Sequence, residues 1–289
     1  MSGMHDKTVL VTGATSGIGR ATAHALAGMG ARVVLVARNE AKGRSTIELI
    51  RRATSNDRLD LMLADLSSQQ SIRRLARDVR SRYERLDVLV NNAGEFFGRR
   101  LVTGDGFEMT FALNHLAYFL LTDLLLDLLK AGAPSRIVSL SSGAQRVGHI
   151  SFDDLQGEKG YSGMRAYAQS KLANLLFSYE LARRLEGTGV TANVLQPGTV
   201  RTNFGRGEAS GWMGFMVRLY APFMRSPEKG AETVVWLASS SEVKGISGGF
   251  FSDRKQVRSS PESYDRDVAD RLWKVSEELT GLSGSGRRQ

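Results

Sequence analysis

"VLVTGATSGIGRA", Val9 to Ala21, sets three glycines within seven residues, between a β-branched run and an alanine-rich helical pattern. A glycine inside an element costs roughly 0.5–1 kcal/mol relative to alanine, so this spacing marks a place that needs bare backbone. Gly13 suits a sharp exit from a strand, Gly17 lets backbone amides approach an anion, and Gly19 lets the next helix lie close to that strand. A helix opening near Ile18 turns unpaired N–H groups and its positive dipole end toward a phosphate, with Thr15 and Ser16 in the same loop. The order T-G-x-x-x-G-I-G, Thr12 to Gly19, is followed by Arg20, so the Gly-Lys-Ser/Thr ending of an ATP loop is missing. A dinucleotide pyrophosphate is the expected guest; the competing reading is a tight turn that holds no ligand.

Outward from this loop, apolar β-branched runs alternate with helical patterns. Strands are expected over Thr8–Gly13, Arg32–Arg38, Leu59–Asp65, Leu86–Gly94, Ser135–Ser142 and Val190–Gly198, with a further short one near Gly248–Ser252. Their near-continuous apolar character suits strands covered on both faces. The intervening stretches carry apolar residues at helical spacing, including Gly106–Lys130 and Ala166–Glu186. Such alternation implies right-handed crossovers and an α/β fold: a single-domain, Rossmann-type, doubly wound parallel sheet with helices on both faces. No Pro/Gly/Ser-rich linker divides it, so one domain is expected over residues 1–281, with 282–289 as a flexible tail.

Composition narrows the function classes. The 289 residues are 42% hydrophobic and 24% charged, as in a soluble globular protein, and the absence of cysteine excludes disulfides, thiolate metal sites and cysteine nucleophiles. No metal site is expected. The net charge of +9 comes from arginines scattered along helical stretches, which reads as a solvated surface, and no nucleic-acid motif accompanies it. No apolar run of membrane-spanning length occurs, so the expected location is cytoplasmic.

The second strand carries a cofactor signal. It ends "LVARN", where Arg38 stands in place of the carboxylate that often holds an NAD ribose. A guanidinium there matches a 2′-phosphate and favours NADP(H) over NAD(H), unless Arg38 is merely an exposed loop residue. Farther along, "YAQSK" sets Tyr167 and Lys171 four positions apart, on one face of a helix. A phenol near pKa 10 is a poor proton partner at neutral pH; a neighbouring ammonium is expected to bring it down. The pair could then exchange a proton with a carbonyl or alcohol oxygen.

Taken together, these motifs resemble the classical branch of the short-chain dehydrogenase/reductase family, in the family's order from Thr12 to Thr202. "TGATSGIG" looks like its cofactor loop, "ADLS" with Asp65 and Leu66 its adenine-side segment, and "NNAG" with Asn92, Ala93 and Gly94 its fourth-strand signature. "PGTVRT", with Pro197, Gly198, Val200 and Thr202, looks like the segment beside the nicotinamide. The resemblance implies that Tyr167 exchanges the reacting proton, Ser142 hydrogen-bonds the substrate oxygen, Lys171 binds the nicotinamide ribose and Asn114 holds a water on the proton path. Ser141 adjoins Ser142, and the choice between them follows the family pattern. Asp65 could equally cap the next helix. His115, on an apolar helix, reads as a packed core residue.

Ser142 and Tyr167 lie 25 positions apart, wider than in many members, and "DLQGEKGYS" with the C-terminal "SPESYDRDVADRLWKVSEELTGL" resembles the retinol dehydrogenase-like branch. The membrane-anchoring N-terminal helix of the animal enzymes has no counterpart in the sequence given. Residues 203–228, rich in Trp, Met and Phe, are expected to form a mobile lid over a small hydrophobic carbonyl or alcohol; an ordinary core helix competes, and a membrane-surface seat is not expected. The broad apolar stripes of "FLLTDLLLDLL" and the tyrosine helix suggest a homodimer or homotetramer, as in relatives, with burial in the chain's own core as the alternative. A non-catalytic NADP(H)-sensing protein on the same scaffold is the other functional class; a complete proton-relay set argues against it.

Overall fold

The computed structural model describes residues 3–200 and 225–282. Eight strands form one sheet: β1 (Thr8–Thr12), β2 (Arg32–Ala37), β3 (Leu59–Leu63), β4 (Val88–Asn91), β5 (Ser135–Leu140), β6 (Val190–Leu195), β7 (Phe250–Ser252) and β8 (Lys255–Gln256). Their order is β3-β2-β1-β4-β5-β6-β7-β8, parallel except for the β7–β8 pair. Chain direction across the sheet reverses between β1 and β4, where Val9 pairs with both Val33 and Val88. Ligands of open α/β sheets bind outside the carboxyl ends of the strands at such a switch point.

Alternation along each strand buries both faces. Leu10, Val34, Val36, Leu89 and Ile137 point to one core, while Val9, Val11, Val33, Leu35, Val90 and Val138 point to the other. The first core is covered by α3 (Gln69–Arg82), α5 (Ala117–Leu124) and α7 (Gly163–Arg184). The second is covered by α1 (Gly17–Gly28), α2 (Glu40–Thr54) and α8 (Pro227–Ser239). A buried leucine truncated to alanine in such a layer costs about 2–5 kcal/mol.

Strand positions match the sequence reading: β1 to β6 end one to three residues short of the expected carboxyl ends, where the chain turns into its loop, and β4 and β7 each start two residues late. The helical pattern Gly106–Lys130 is not one helix. Gly106 sits at φ +87, and Glu108 starts the helix by accepting from the amides of Thr110 and Phe111, both at 2.8 Å. The chain then runs through α4 (Met109–Phe111), a π turn over Ala112–Leu116, α5, a break at Leu125 and α6 (Leu126–Ala131). The short β8, which the sequence reading did not include, is joined to β7 through Asp253 and Arg254, both at positive φ, the backbone of a tight hairpin.

The last helix, α9 (Arg266–Leu279), lies on α5 and α7. Leu272 and Ala269 join Leu172 and Leu176, and Trp273 stacks on Phe177 at 5.9 Å with its edge against Phe119 at 4.9 Å. The apolar stripes of α5 and α7 are therefore buried within the chain over this area. Of the lid region, residues 203–224 lie outside the described residues, as does the tail from 283 on; Pro227 and Glu228 begin α8 instead, capped by Ser226. Among the described residues no helix is long and apolar enough to cross a membrane.

Candidate active site

The glycine turn adopts the backbone that its sequence demands. Gly13 has φ +64 and Gly17 φ +51, both in the region that side chains disfavour. A Cβ on Gly19 would land on the Gly13 carbonyl oxygen, so α1 packs against the turn only because residue 19 is bare. Ser16, at the N-cap of α1, accepts no amide with its side chain, which leaves the first-turn N–H groups pointing outward beside the half-buried Thr15. Ile18 is buried, and its side chain and that of Val200 meet over Gly230.

Thr12 fixes this turn to the fourth strand. Its hydroxyl donates to the Val90 carbonyl at 3.2 Å and accepts from the amides of Asn92 at 2.8 Å and Ala93 at 3.0 Å. The Asn92 side chain returns a bond to the Thr12 carbonyl at 2.7 Å. Asn92 and Ala93 thus brace the glycine loop with side chain and backbone.

Arg38 follows β2, is exposed, and forms no hydrogen bond or ion pair with a described residue. Asp65 follows β3 and accepts from both the amide and the hydroxyl of Ser67, at 2.9 and 2.7 Å. The cap of α3 is Ser68, so the capping alternative for Asp65 falls away. Leu66 turns its side chain into the core. On the far side Gly198 has φ +77 next to the half-buried Pro197, and Val200 bridges to Arg225; Thr202 lies outside the described residues.

Three elements converge on the tyrosine. α7 presents Tyr167 and Lys171 one turn apart, with the ammonium 5.4 Å from the ring centroid. The end of β5 presents Ser142, whose hydroxyl is hydrogen-bonded to the phenol. The π turn presents Asn114: its Nδ2 donates to the Glu95 carbonyl at 3.0 Å and to Ser170 Oγ at 3.1 Å, and its Oδ1 accepts from the Glu95 amide at 2.9 Å. Asn114 Oδ1 and Lys171 Nζ crowd the same bare edge of Gly94, at 3.0 and 3.3 Å from where a Cβ would stand. π turns are frequent where a side chain must be re-aimed at a functional site.

Electrostatics depart from the sequence expectation. Burial pushes the Tyr167 phenol up to about 12, against the Ser142 bond that draws it down. Burial likewise brings the Lys171 ammonium down to about 8. The phenol is not held below its ordinary value, because burial outweighs the bond from Ser142. At neutral pH the phenol therefore carries its proton, the form that can donate to a carbonyl oxygen.

Four further residues support this arrangement; of these the sequence reading weighs only Ser141, as the alternative to Ser142. Thr12 is visible only as the residue before the first glycine. Ser141 donates to the Lys171 carbonyl at 2.7 Å, which separates the two adjacent serines. Ser170 links Asn114 to the Tyr167 carbonyl, which its hydroxyl reaches at 2.8 Å. Phe96 sets its ring 6.0 Å from that of Tyr167, edge to face. His115 is fully buried among Phe111, Phe119 and Phe177, as its core reading expects. A cavity of about 1040 Å³ opens at the amino ends of the strands, among Asp87, Ser135 and Val190, away from this chemistry. No group of three or more His, Asp or Glu among the described residues could hold a metal ion.

Comparison with known proteins agrees with this geometry. The family model described as short chain dehydrogenase matches residues 7–211. Human retinol dehydrogenase 14 is 46% identical over 295 residues, covering 96% of this chain and 88% of that protein. The crystal structure of an uncharacterised protein from Mycobacterium paratuberculosis superimposes with a TM-score of 0.80 at 33% identity, covering 97% of this chain and 96% of that one. The Pseudomonas aeruginosa RhlG/NADP active-site complex follows at 0.70 and 29%, covering 86% and 95%.

Proposed function

The chain belongs to the short-chain dehydrogenase family, and from that premise we propose that it interconverts an apolar alcohol and its aldehyde or ketone with NADP(H) as cofactor. The observation that carries this reading is the meeting of Ser142, Tyr167 and Lys171, from two separate elements, beside the glycine turn. The cradle fits a dinucleotide: positive-φ glycines, first-turn amides without a side-chain cap, and an exposed Arg38, unpaired among the described residues, where a 2′-phosphate would need a partner. Gly13, Thr15, Ser16, Gly17, Ile18 and Gly19 would hold the pyrophosphate, and Asp65 with the Leu66 backbone the adenine side. Asn92, Ala93, Gly94, Pro197, Gly198 and Val200 would flank the nicotinamide half. When bound, the dinucleotide supplies the hydride for reduction and accepts it in oxidation.

The protein's own groups handle the proton. Tyr167 Oη gives its proton to the substrate oxygen in reduction and takes it back in oxidation. Ser142 Oγ donates a hydrogen bond to that oxygen and stabilises the charge that grows on it. Lys171, in the low-dielectric floor of the site, stabilises the phenolate left behind, an effect that strengthens as water is excluded. Asn114, pinned by Glu95 and Ser170, fixes the π turn beside Lys171 and lets protons return from solvent through a water at that turn.

The substrate class follows the relatives named retinol dehydrogenases and the aromatic Phe96 beside the tyrosine. The test is a panel of apolar aldehydes, ketones and retinoids followed by NADPH absorbance, with Tyr167→Phe alongside. Turnover by the wild type and a loss of at least about 100-fold in the variant are expected; equal rates would overturn the assignment.

A further inference from the structure

His115 is fully buried next to Asn114, and the chemistry proposed above gives it no task. Its Nε2 lies 2.9 Å from Ser276 Oγ on α9; its Nδ1 makes no hydrogen bond, and neither does the buried Oδ1 of its neighbour Asn174 on α7. Asn174 Nδ2 in turn donates to the Leu140 carbonyl at 3.1 Å, at the end of β5 and two residues before Ser142. A polar row of Ser276, His115, Asn174 and the Leu140 carbonyl thus crosses an aromatic core between the C-terminal helix and each element that bears a reacting group.

The row has one consistent protonation pattern. His115 Nδ1 and Asn174 Oδ1 are both buried without a hydrogen-bond partner among the described residues, and a proton on Nδ1 would let each satisfy the other after a small adjustment of the two side chains. Nε2 then accepts from the Ser276 hydroxyl, which also lies 2.7 Å from the Leu272 carbonyl that the α9 ladder already serves. A fourth phenylalanine in this cluster would fill similar volume without desolvating an imidazole. A polar link kept in an apolar shell needs a reason other than packing.

We propose that His115 is a positioning residue, whose bonds to Asn174 and Ser276 hold the Asn114 turn in register with Ser142 on β5 and the Tyr167–Lys171 pair on α7. The side chain of Asn114 is fixed from one side by Glu95 and Ser170; His115 fixes the same turn from the other. The C-terminal helix becomes part of the catalytic frame through Ser276. This inference rests on the reading of Tyr167 as the proton donor.

The test compares His115→Phe, His115→Asn and Ser276→Ala by kcat, KM, NADPH affinity from fluorescence, and Tm. A positioning role predicts that His115→Phe lowers kcat by about tenfold or more, since small misplacements are costly, while NADPH affinity and Tm stay close to wild type. His115→Asn, which returns a donor toward Asn174, should recover most of the loss, and Ser276→Ala should show a smaller one. A kcat equal to wild type with a lowered Tm would make the residue a packing element and overturn the proposal. Should His115→Phe fail to fold, Ser276→Ala decides by the same kcat-against-Tm comparison. A readout free of substrate separates this from the functional reading: imidazole ¹⁵N shifts should report a protonated Nδ1, and the Asn114 side-chain resonance should move in Ser276→Ala. An unmoved Asn114 resonance overturns the proposal even if no apolar carbonyl is turned over.

Discussion

Ser141 gives its hydroxyl proton to the backbone carbonyl of Lys171 at 2.7 Å, while the adjacent Ser142 is bonded to the Tyr167 phenol. Two serines that are indistinguishable in sequence are thus divided between frame and chemistry. Ser142→Ala should lower kcat by about 100- to 1000-fold with Tm unchanged. Ser141→Ala should keep kcat within a few-fold and cost about 1 kcal/mol in urea unfolding, the net worth of one such bond. Steady-state assays and denaturation of the two variants side by side check both.

Arg38 stands unpaired among the described residues. A charge-assisted bond to a 2′-phosphate is worth about 1.5–3 kcal/mol, so Arg38→Ala should raise KM for NADPH by about 10- to 100-fold and leave that for NADH nearly untouched. Arg38→Asp should go further and prefer NADH. Equal loss for both cofactors would place the guanidinium elsewhere.

Thr12 serves three partners with one hydroxyl: the Val90 carbonyl and the amides of Asn92 and Ala93. Thr12→Val keeps the shape and strands all three, an expected cost of about 2–3 kcal/mol. Because those amides brace the glycine turn, NADPH affinity should fall together with stability, measured by isothermal titration.

His115 supplies a pH test. Burial holds its imidazole down at about 4, against an ordinary value near 6.5. The unfolded chain takes up that proton first as pH falls, so stability drops between about pH 6.5 and pH 4 and is flat above, as far as this group contributes. The full loss is about 3 kcal/mol. His115→Phe should remove this slope from urea midpoints measured across that range.

Much of this was legible in the residues because the signals were local. Three glycines at fixed offsets admit few backbones, and Tyr167 with Lys171 at helical spacing must share a face. What escaped depends on contacts distant in sequence. Helix periodicity over Gly106–Lys130 could not reveal that Asn114 reaches Glu95 and bends the helix into a π turn. The charge state of Tyr167 depends on how deeply α7 sinks its first turns, and burial there outweighs the Ser142 bond. Asp65 carries an N-cap pattern, yet Ser68, three residues on, takes the cap. The stripes that suggest a subunit interface meet α9, whose own pattern lies far along the chain, beyond β6, α8 and the β7–β8 hairpin.

At its outer border the sheet stops at β8, two exposed residues, Lys255 and Gln256, behind a hairpin tied down by the Arg225–Asp253 ion pair. A foreign strand seeking to extend the sheet there would find two residues to pair with and a cation beside them. Fibril growth from this margin is thereby denied a template.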